Sequence, residues 1–253
     1  MRTIELFGLR LFDCTPQACA ALLMDEAAQP GPGRIVFFVN AHCVNVMVRD
    51  RDYAAALKAA DRVLPDGAGV ELSAWLAGSG RVNNLNGTDL FPLLLQGAAQ
   101  RGLSVGLVGA RPGVAARCAE RMGARIPGLR FVLVQDGYQP ASLLVQRIAS
   151  VRPDVLFVAM GVPLQEKFVV ETTRAAGVRM AFGVGALLDF YSGTMPRAPR
   201  WLRRARLEWL YRLGLEPRRM FGRYVLGNVS FLARLMLLRL RGREVLQARA
   251  RPF

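Results

Sequence analysis

The chain has 253 residues, 52% of them hydrophobic, enough to bury the core of one large α/β domain or of a domain with an appendage, and this excludes a disordered chain. Its four cysteines (Cys14, Cys19, Cys43, Cys118) form no C-x-x-C pair and its one histidine is His42, which excludes a zinc site and suits reduced thiols. The net charge is +15 and unevenly placed: residues 197–253 hold fifteen Arg, no Lys and three acids, for +12, leaving +3 on residues 1–196.

Met1 to Asp13 carries Glu5 and Asp13 and has no charged start followed by a long apolar stretch, so it is not expected to be a secretion signal. No uncharged apolar run approaches the ~20 residues of a spanning helix, and the expected location is the cytoplasmic side of a membrane. After the turn Pro30-Gly31-Pro32-Gly33, the apolar run Ile35–Val39 predicts a buried strand. Similar runs at Ser104–Val108, Arg130–Val134, Val155–Met160 and Met180–Val184 predict four more. Helical patterns lie between them at Asp52–Ala60, Thr88–Arg101, Val114–Ile126, Ala141–Val151 and Gln165–Ala176. Continuously apolar strands separated by helices need crossover connections, so the fold class is α/β, with a mainly parallel sheet.

Three strands end in glycine, at Gly109, Gly161 and Gly183-Val184-Gly185. Ligands of open α/β sheets bind beyond the carboxyl ends of the strands, where glycine lets backbone approach a ligand and a following helix N-terminus favours phosphate. The site is expected among these turns. Gly183 and Gly185 supply only the first two glycines of G-x-G-x-x-G, and there is no G-x-x-x-x-G-K loop.

Several polar residues fall at this edge. Asp66, in Pro65-Asp66-Gly67-Ala68-Gly69, either caps the helix Val70–Leu76 or serves as a general base for an acceptor hydroxyl. Asn40 ends the first strand and either satisfies loop backbone or lines the site; His42 beside it reads as structural. Gln165 and Glu166 follow Gly161-Val162-Pro163-Leu164, where Pro163 can open a helix, the amide can read a base or sugar hydroxyl, and Glu166 can favour the helix dipole. Asp189 either holds sugar hydroxyls or caps local structure.

Beyond Tyr191 the texture changes, with Pro196, Pro199 and Pro217 punctuating a segment rich in Arg, Trp, Leu and Tyr. Met220–Leu240 reads as a helix with bulky apolar residues among Arg218, Arg219, Arg223, Arg234, Arg239 and Arg241. Such a helix either packs on the body with a solvated basic face or lies in a membrane interface, and the shortage of acids favours the interface. Clustered guanidiniums also suit diphosphate. The boundaries expected are a catalytic domain at 1–196 and an Arg-rich, membrane-associating appendage at 197–253.

Read together, these motifs resemble the WecG/TagA/CpsF glycosyltransferases, the N-acetylmannosaminyltransferase-type enzymes of bacterial surface-polymer synthesis. The carrying motifs are Asn40-Ala41, Pro65-Asp66-Gly67, Gly87-Thr88-Asp89-Leu90, Gly109-Ala110-Arg111-Pro112-Gly113, Asp136-Gly137-Tyr138, Pro153-Asp154, Gly161-x-Pro163-x-Gln165-Glu166, Gly183-Val184-Gly185-x-x-x-Asp189, and the run from Arg197-Ala198-Pro199 through Leu207-Glu208-Trp209 to Arg223-Tyr224. Their order and spacing cover about Val36 to Tyr224.

The resemblance implies a Rossmann-like core with helices on both faces and an inverting reaction without a required metal. It implies a UDP-sugar donor, an undecaprenyl-diphosphate-linked acceptor and an appendage that completes the site at the membrane. It makes Asp66 the catalytic base. Asn40, Gly67, Asp89, Gly109, Gly161, Gln165, Glu166, Gly183, Gly185 and Asp189 become substrate-site residues, with Arg197, Arg200, Arg212, Arg218 and Arg219 as candidates for diphosphate. No cofactor is implied, and an oligomer is left open. The chain departs from the family's pattern at Phe38, where many members have Thr, and at Asn83, Asn84 and Asn86, where a basic residue often precedes G-x-D-L. A further departure is Ala186-Leu187-Leu188, where a second small residue and Phe are common.

Two rivals are weighed. A nicotinamide-dependent oxidoreductase would use the glycine-ended strands, but the fingerprint is incomplete. A nucleic-acid-binding protein would use the Arg-rich tail, but phosphate binding alone needs no Leu-Met-Leu-Leu run.

Overall fold

Strands buried on both faces must be apolar at every position, and the runs picked out above become the middle of one sheet. The computed structural model describes residues 1–240 and 251–252. In chain order its first half comprises β1 (Arg2–Leu6), β2 (Leu9–Asp13), α1 (Pro16–Ala28), β3 (Arg34–Val39), α2 (Ala41–Met47), α3 (Arg51–Lys58), β4 (Arg62–Pro65), α4 (Ala68–Leu76) and α5 (Gly87–Gln100). There follow β5 (Ser104–Gly109), α6 (Val114–Gly123), β6 (Arg130–Gln135), α7 (Ala141–Val151), β7 (Val155–Ala159), α8 (Leu164–Ala175), β8 (Met180–Gly183) and α9 (Leu187–Tyr191). Last come α10 (Arg200–Arg204), α11 (Glu208–Leu215), α12 (Pro217–Met220), a π-helical stretch Phe221–Leu226, α13 (Gly227–Leu240) and the two-residue β9 (Arg251–Pro252). Arg241, Glu244 and the rest of the expected basic tail at 241–250 and 253 lie outside the described residues.

The sheet order is β6-β5-β7-β8-β3-β4-β2-β1-β9. Every pairing from β6 to β2 is parallel; β1 runs antiparallel to β2 and to β9. The parallel α/β expectation is met. Side chains alternate across the sheet with period two. Val36 and Phe38 of β3, with Val155 and Phe157 of β7, enter a core covered by α1, α5, α6 and α9. Ile35, Phe37, Val39, Leu156 and Val158 face a second core under α2, α3, α4, α7, α8 and α13. Helices therefore cover both faces.

The structure adds strands that the pattern did not predict. β4 is only four residues long and begins at a charged Asp61-Arg62 pair, too short for a periodicity argument. The β1–β2 hairpin turns through Phe7 and Gly8 with φ of +57° and +72°, the positive pair of a tight two-residue hairpin, but without the Asn-Gly signature that announces one. The helix expected over Met220–Leu240 is present without a break, as α12, the π-helical stretch and α13 end to end. The Gly227 N–H reaches back five residues to the Gly222 carbonyl, widening the helix between two glycines.

α13 is sided. Phe231 and Leu235, four residues apart, are buried in the second core, and Phe231 sits 5.8 Å from Phe7, ring centre to ring centre. Val229, Leu232 and Met236 occupy the opposite arc and are exposed. Burying two such side chains contributes roughly 1.5–3 kcal/mol each. The exposed Arg197–Asp89 pair (2.7 Å) belongs to a class worth about 0–1 kcal/mol. The apolar inner face therefore fixes the appendage on the body more strongly than its ion pairs do.

Gly109 ends β5 at φ +128°, and a Cβ there would strike the backbone of Ala159 on β7. Replacing Gly109 by Ala is expected to destabilise the fold by about 2 kcal/mol or more, read as a lower urea midpoint at unchanged slope.

Candidate active site

Parallel pairing brings the carboxyl ends of β3, β4, β5, β7 and β8 to one edge. Asn40 follows β3 and Asp66 follows β4, and because those strands are parallel neighbours, with Val39 opposite Pro65, the two meet. Asn40 Nδ2 donates to Asp66 Oδ2 at 2.9 Å. Asn40 Oδ1 accepts from His42 and Cys43 N–H at 3.1 and 3.2 Å, capping α2. The backbone-satisfying reading of Asn40 holds: the cap aims the amide, and the amide in turn holds a carboxylate. Asp66 is not a cap. Gly67 occupies the N-cap position of α4 and makes no side-chain cap, so the Asp66 carboxylate is left to Asn40 and to solvent. Gly67 adopts φ +87°, a conformation natural to glycine.

Gln165 is buried at the start of α8, and its amide is engaged internally. Its Oε1 accepts from Gly161 N–H at 3.2 Å and from Gly185 N–H at 2.8 Å, tying the turn after β7 to the turn after β8. Its Nε2 donates to Glu166 Oε1 at 2.9 Å. Gly183 lies alongside, where a Cβ would come within 3.3 Å of that same Nε2. Gln165 therefore spaces two glycine turns. Glu166 is 1% exposed, and its Oε2 has no partner among the described residues. Burial pushes its carboxyl up to about 7, against the opposing hydrogen bond from Gln165. His42 is pushed down to about 4 by burial and by Arg223, so it is neutral near pH 7.

The remaining candidates are divided between the body, which carries Asp89, Gly109 and Asp189, and the segment after residue 196, which carries the arginines. Arg197 Nη2 donates to Asp89 Oδ1 at 2.7 Å, and Arg203 lies 3.6 Å from the same oxygen. Burial opposes ionisation of Asp89, but the hydrogen bond from Asn86 and the two guanidiniums outweigh it and hold the carboxyl below its usual range. Arg206 pairs with Glu71 in the first turn of α4. Asn45 Nδ2 donates to the Gly227 carbonyl at 2.7 Å, joining α2 to α13. The Arg212 guanidinium stacks over Phe190 at 4.4 Å, next to Asp189. Asp189 is pushed up by burial, with Arg219 and Arg111 pulling the other way. Gly109 meets the Asp136-Gly137 turn, whose Gly137 N–H donates to the Ala110 carbonyl at 2.9 Å. Arg200 and Arg218 are exposed and carry no ion pair among the described residues. No group of three His, Cys, Asp or Glu side chains able to hold a metal occurs among the described residues.

The glycosyl transferase WecG/TagA/CpsF family matches residues 4–245. The chain belongs to that family. It is therefore a glycosyltransferase, and the edge just described is its candidate active site. Among its relatives, a protein of Bacillus subtilis named N-acetylglucosaminyldiphosphoundecaprenol N-acetyl-beta-D-mannosaminyltransferase is 34% identical over 186 residues, covering 73% of each chain. A protein of the same name from Bacillus spizizenii is 38% identical over 168 residues, covering 66% of this chain and 65% of its own.

Motif reading of the family missed the contacts that join its parts. Asn84, Asn86, Glu71, Asn45, Phe190 and Arg203 each hold a site segment, and none was a candidate. Three asparagines within Asn83–Asn86 were a usable signal, since asparagine at this density marks turns and caps.

Glu166 gives the site a pH signature. A carboxyl raised from 4.5 to about 7 in the folded chain contributes stability that is complete below pH 4.5 and is lost as pH rises through 7. Glu166→Gln removes that dependence. Relative to wild type, it is expected to gain about 3 kcal/mol between pH 4.5 and pH 8, measured by denaturant unfolding at both.

Proposed function

We propose that this glycosyltransferase moves an N-acetylmannosamine-type sugar, or another hexose, from a UDP-sugar to an undecaprenyl-diphosphate-linked sugar in the building of a bacterial surface or exopolysaccharide. The names of the two Bacillus relatives support the acceptor class and the sugar type. The observation that carries the mechanism is the Asp66 carboxylate, held by Asn40 at the carboxyl edge of the sheet and not spent on a helix cap.

The reaction is a single displacement. As the acceptor oxygen attacks the anomeric carbon, Asp66 takes the hydroxyl proton. The bond from that carbon to the diphosphate breaks, its electron pair leaves with UDP, and the configuration inverts. Charge gathering on the departing diphosphate is met by guanidiniums and helix N-termini. Arg219 and Arg111 both lie within the electrostatic reach of Asp189, and Arg219 also pairs with Glu216 at 3.2 Å. Arg197 and Arg212 are committed to Asp89 and Phe190, and they act by holding the appendage over the edge. Arginine neutralisation supports a reaction with no required metal.

Residues 197–253 form the appendage that meets the membrane. Among the described residues, no helix is long and apolar enough to cross one. Trp201, Phe221, Leu226, Val229, Leu232 and Met236 are exposed beside Arg200, Arg218 and Arg219, the composition of an interfacial surface. The protein then works at the inner face of the plasma membrane, where the acceptor's diphosphate lies.

Acceptor-dependent UDP release from a panel of UDP-sugars tests the reaction; release from none, with folded protein and varied acceptors, defeats it. Asp66→Asn is expected to lower turnover by about 10²–10⁴-fold with UDP still bound, and near-normal turnover removes Asp66 from the role. Changing Val229, Leu232 and Met236 together to Ser or Gln spares the buried Phe231–Leu235 face. The variant should keep its melting temperature and lose binding to vesicles containing anionic lipid. Undiminished vesicle binding would show that α13 is not the anchor.

A further inference from the structure

Asp66 is fixed by more than Asn40. Its own N–H donates to the Val39 carbonyl at 2.9 Å, which carries the β3–β4 pairing one residue past β4. The next peptide N–H, that of Gly67, donates to Asn84 Oδ1 at 3.0 Å. Beside it, Leu85 N–H donates to the Pro65 carbonyl at 2.8 Å. Asn84 and Leu85 thus grip the Pro65-Asp66-Gly67 turn from the side away from Asn40. The gripping segment is itself anchored at both ends. Asn83 donates through its backbone and its amide to Asp13 Oδ1, both at 2.9 Å, and Asn86 Oδ1 accepts from Asp89 N–H at 2.9 Å to cap α5.

The rigidity matters because of Gly67. At φ +87° the backbone has a freedom that no side-chain cap at the head of α4 restrains. Release of the Gly67 N–H from Asn84 would let the Pro65-Asp66-Gly67 backbone shift as a segment, carrying the Asp66 Cα and its carboxylate away from Asn40 and towards the N–H groups at the start of α4. There it would become an ordinary cap and a weaker base. The amide oxygen of Asn84 holds that turn.

We propose that Asn84 is a positioning residue: it anchors the backbone turn at Asp66 and Gly67, keeping the carboxylate beside Asn40 and facing the acceptor and out of the helix cap. This rests on the role of Asp66 proposed above. The test has two readouts, one independent of that role. In protein labelled with isotopic glycine, amide exchange at Gly67 should be slow in wild type and about ten-fold or more faster in Asn84→Ala, with Gly137, bonded to Ala110, unchanged as the internal control. In steady-state transfer, Asn84→Ala should lower kcat about ten- to hundred-fold with the donor KM within about two-fold. Asn84→Asp keeps an acceptor for the Gly67 N–H and should restore its protection. The added negative charge near Asp66 should move the acid limb of the kcat profile to higher pH.

Unchanged Gly67 exchange in Asn84→Ala overturns the proposal. So does an unchanged kcat, or a loss carried wholly by KM, which would make Asn84 a ligand contact. Wild-type protein that releases UDP from no donor defeats the transferase mechanism instead, and the Gly67 exchange still reports whether the clamp exists.

Discussion

The structure turns on a parallel pairing of two short strands. Val39 of β3 lies opposite Pro65 of β4, and the next residue on each is polar. The backbone bond from Asp66 to Val39 extends the pairing by one residue, so Asn40 and Asp66, 26 positions apart, emerge side by side where backbone pairing stops. The other parts of the site are arranged around that pair. The Gln165 amide sets the spacing of the turns beyond β7 and β8, and the segment from Asn83 to Asn86 closes the other flank. An open α/β sheet supplies such an edge whatever its chemistry. The individual residues give this one a carboxylate held by an amide, the feature on which the proposed mechanism rests.

Much of this was legible in the sequence. Strands apolar throughout, such as Val155–Ala159 and Arg34–Val39, announced a sheet covered on both faces, and the glycines after them located the edge. β4 and the β1–β2 hairpin were not legible, because a four-residue strand has no period and the Phe7-Gly8 turn lacks a recognisable pair. At the site, residue type located Asn40, Asp66, Gln165 and Glu166 but not what each does. Gln165 looked like a reader of substrate, and its oxygen is spent on two backbone N–H groups from turns twenty-four residues apart in chain order (Gly161 and Gly185). Such a role depends on which strands are neighbours, and local sequence does not carry that.

The appendage shows the same limit from another direction. A basic helix with large apolar side chains admits two readings, packed or interfacial, and α13 has a face for each. Phe231 and Leu235 point into the core, and Val229, Leu232 and Met236 point out. Periodicity measures how apolar residues are spread around a helix. It cannot say which arc has a protein partner until the body's surface is known. The core surface that receives Phe231 and Leu235 sets which arc turns inward, and Asn45, reaching from α2 to the Gly227 carbonyl, pins the start of the helix.

The contact of Phe7 with Phe231 has a bearing on how the molecule comes into being. The loop of the first hairpin rests on a ring supplied more than two hundred residues later in the chain. During synthesis from the amino end, early strands can pair and early helices can cover them. The patch of core around Phe7 stays open until α13 has been made. The same helix continues from α11 and α12, and Arg212 of α11 stacks over Phe190. Closure of this part of the core is therefore a late event, and a nascent chain that ends before α13 leaves Phe7 uncovered.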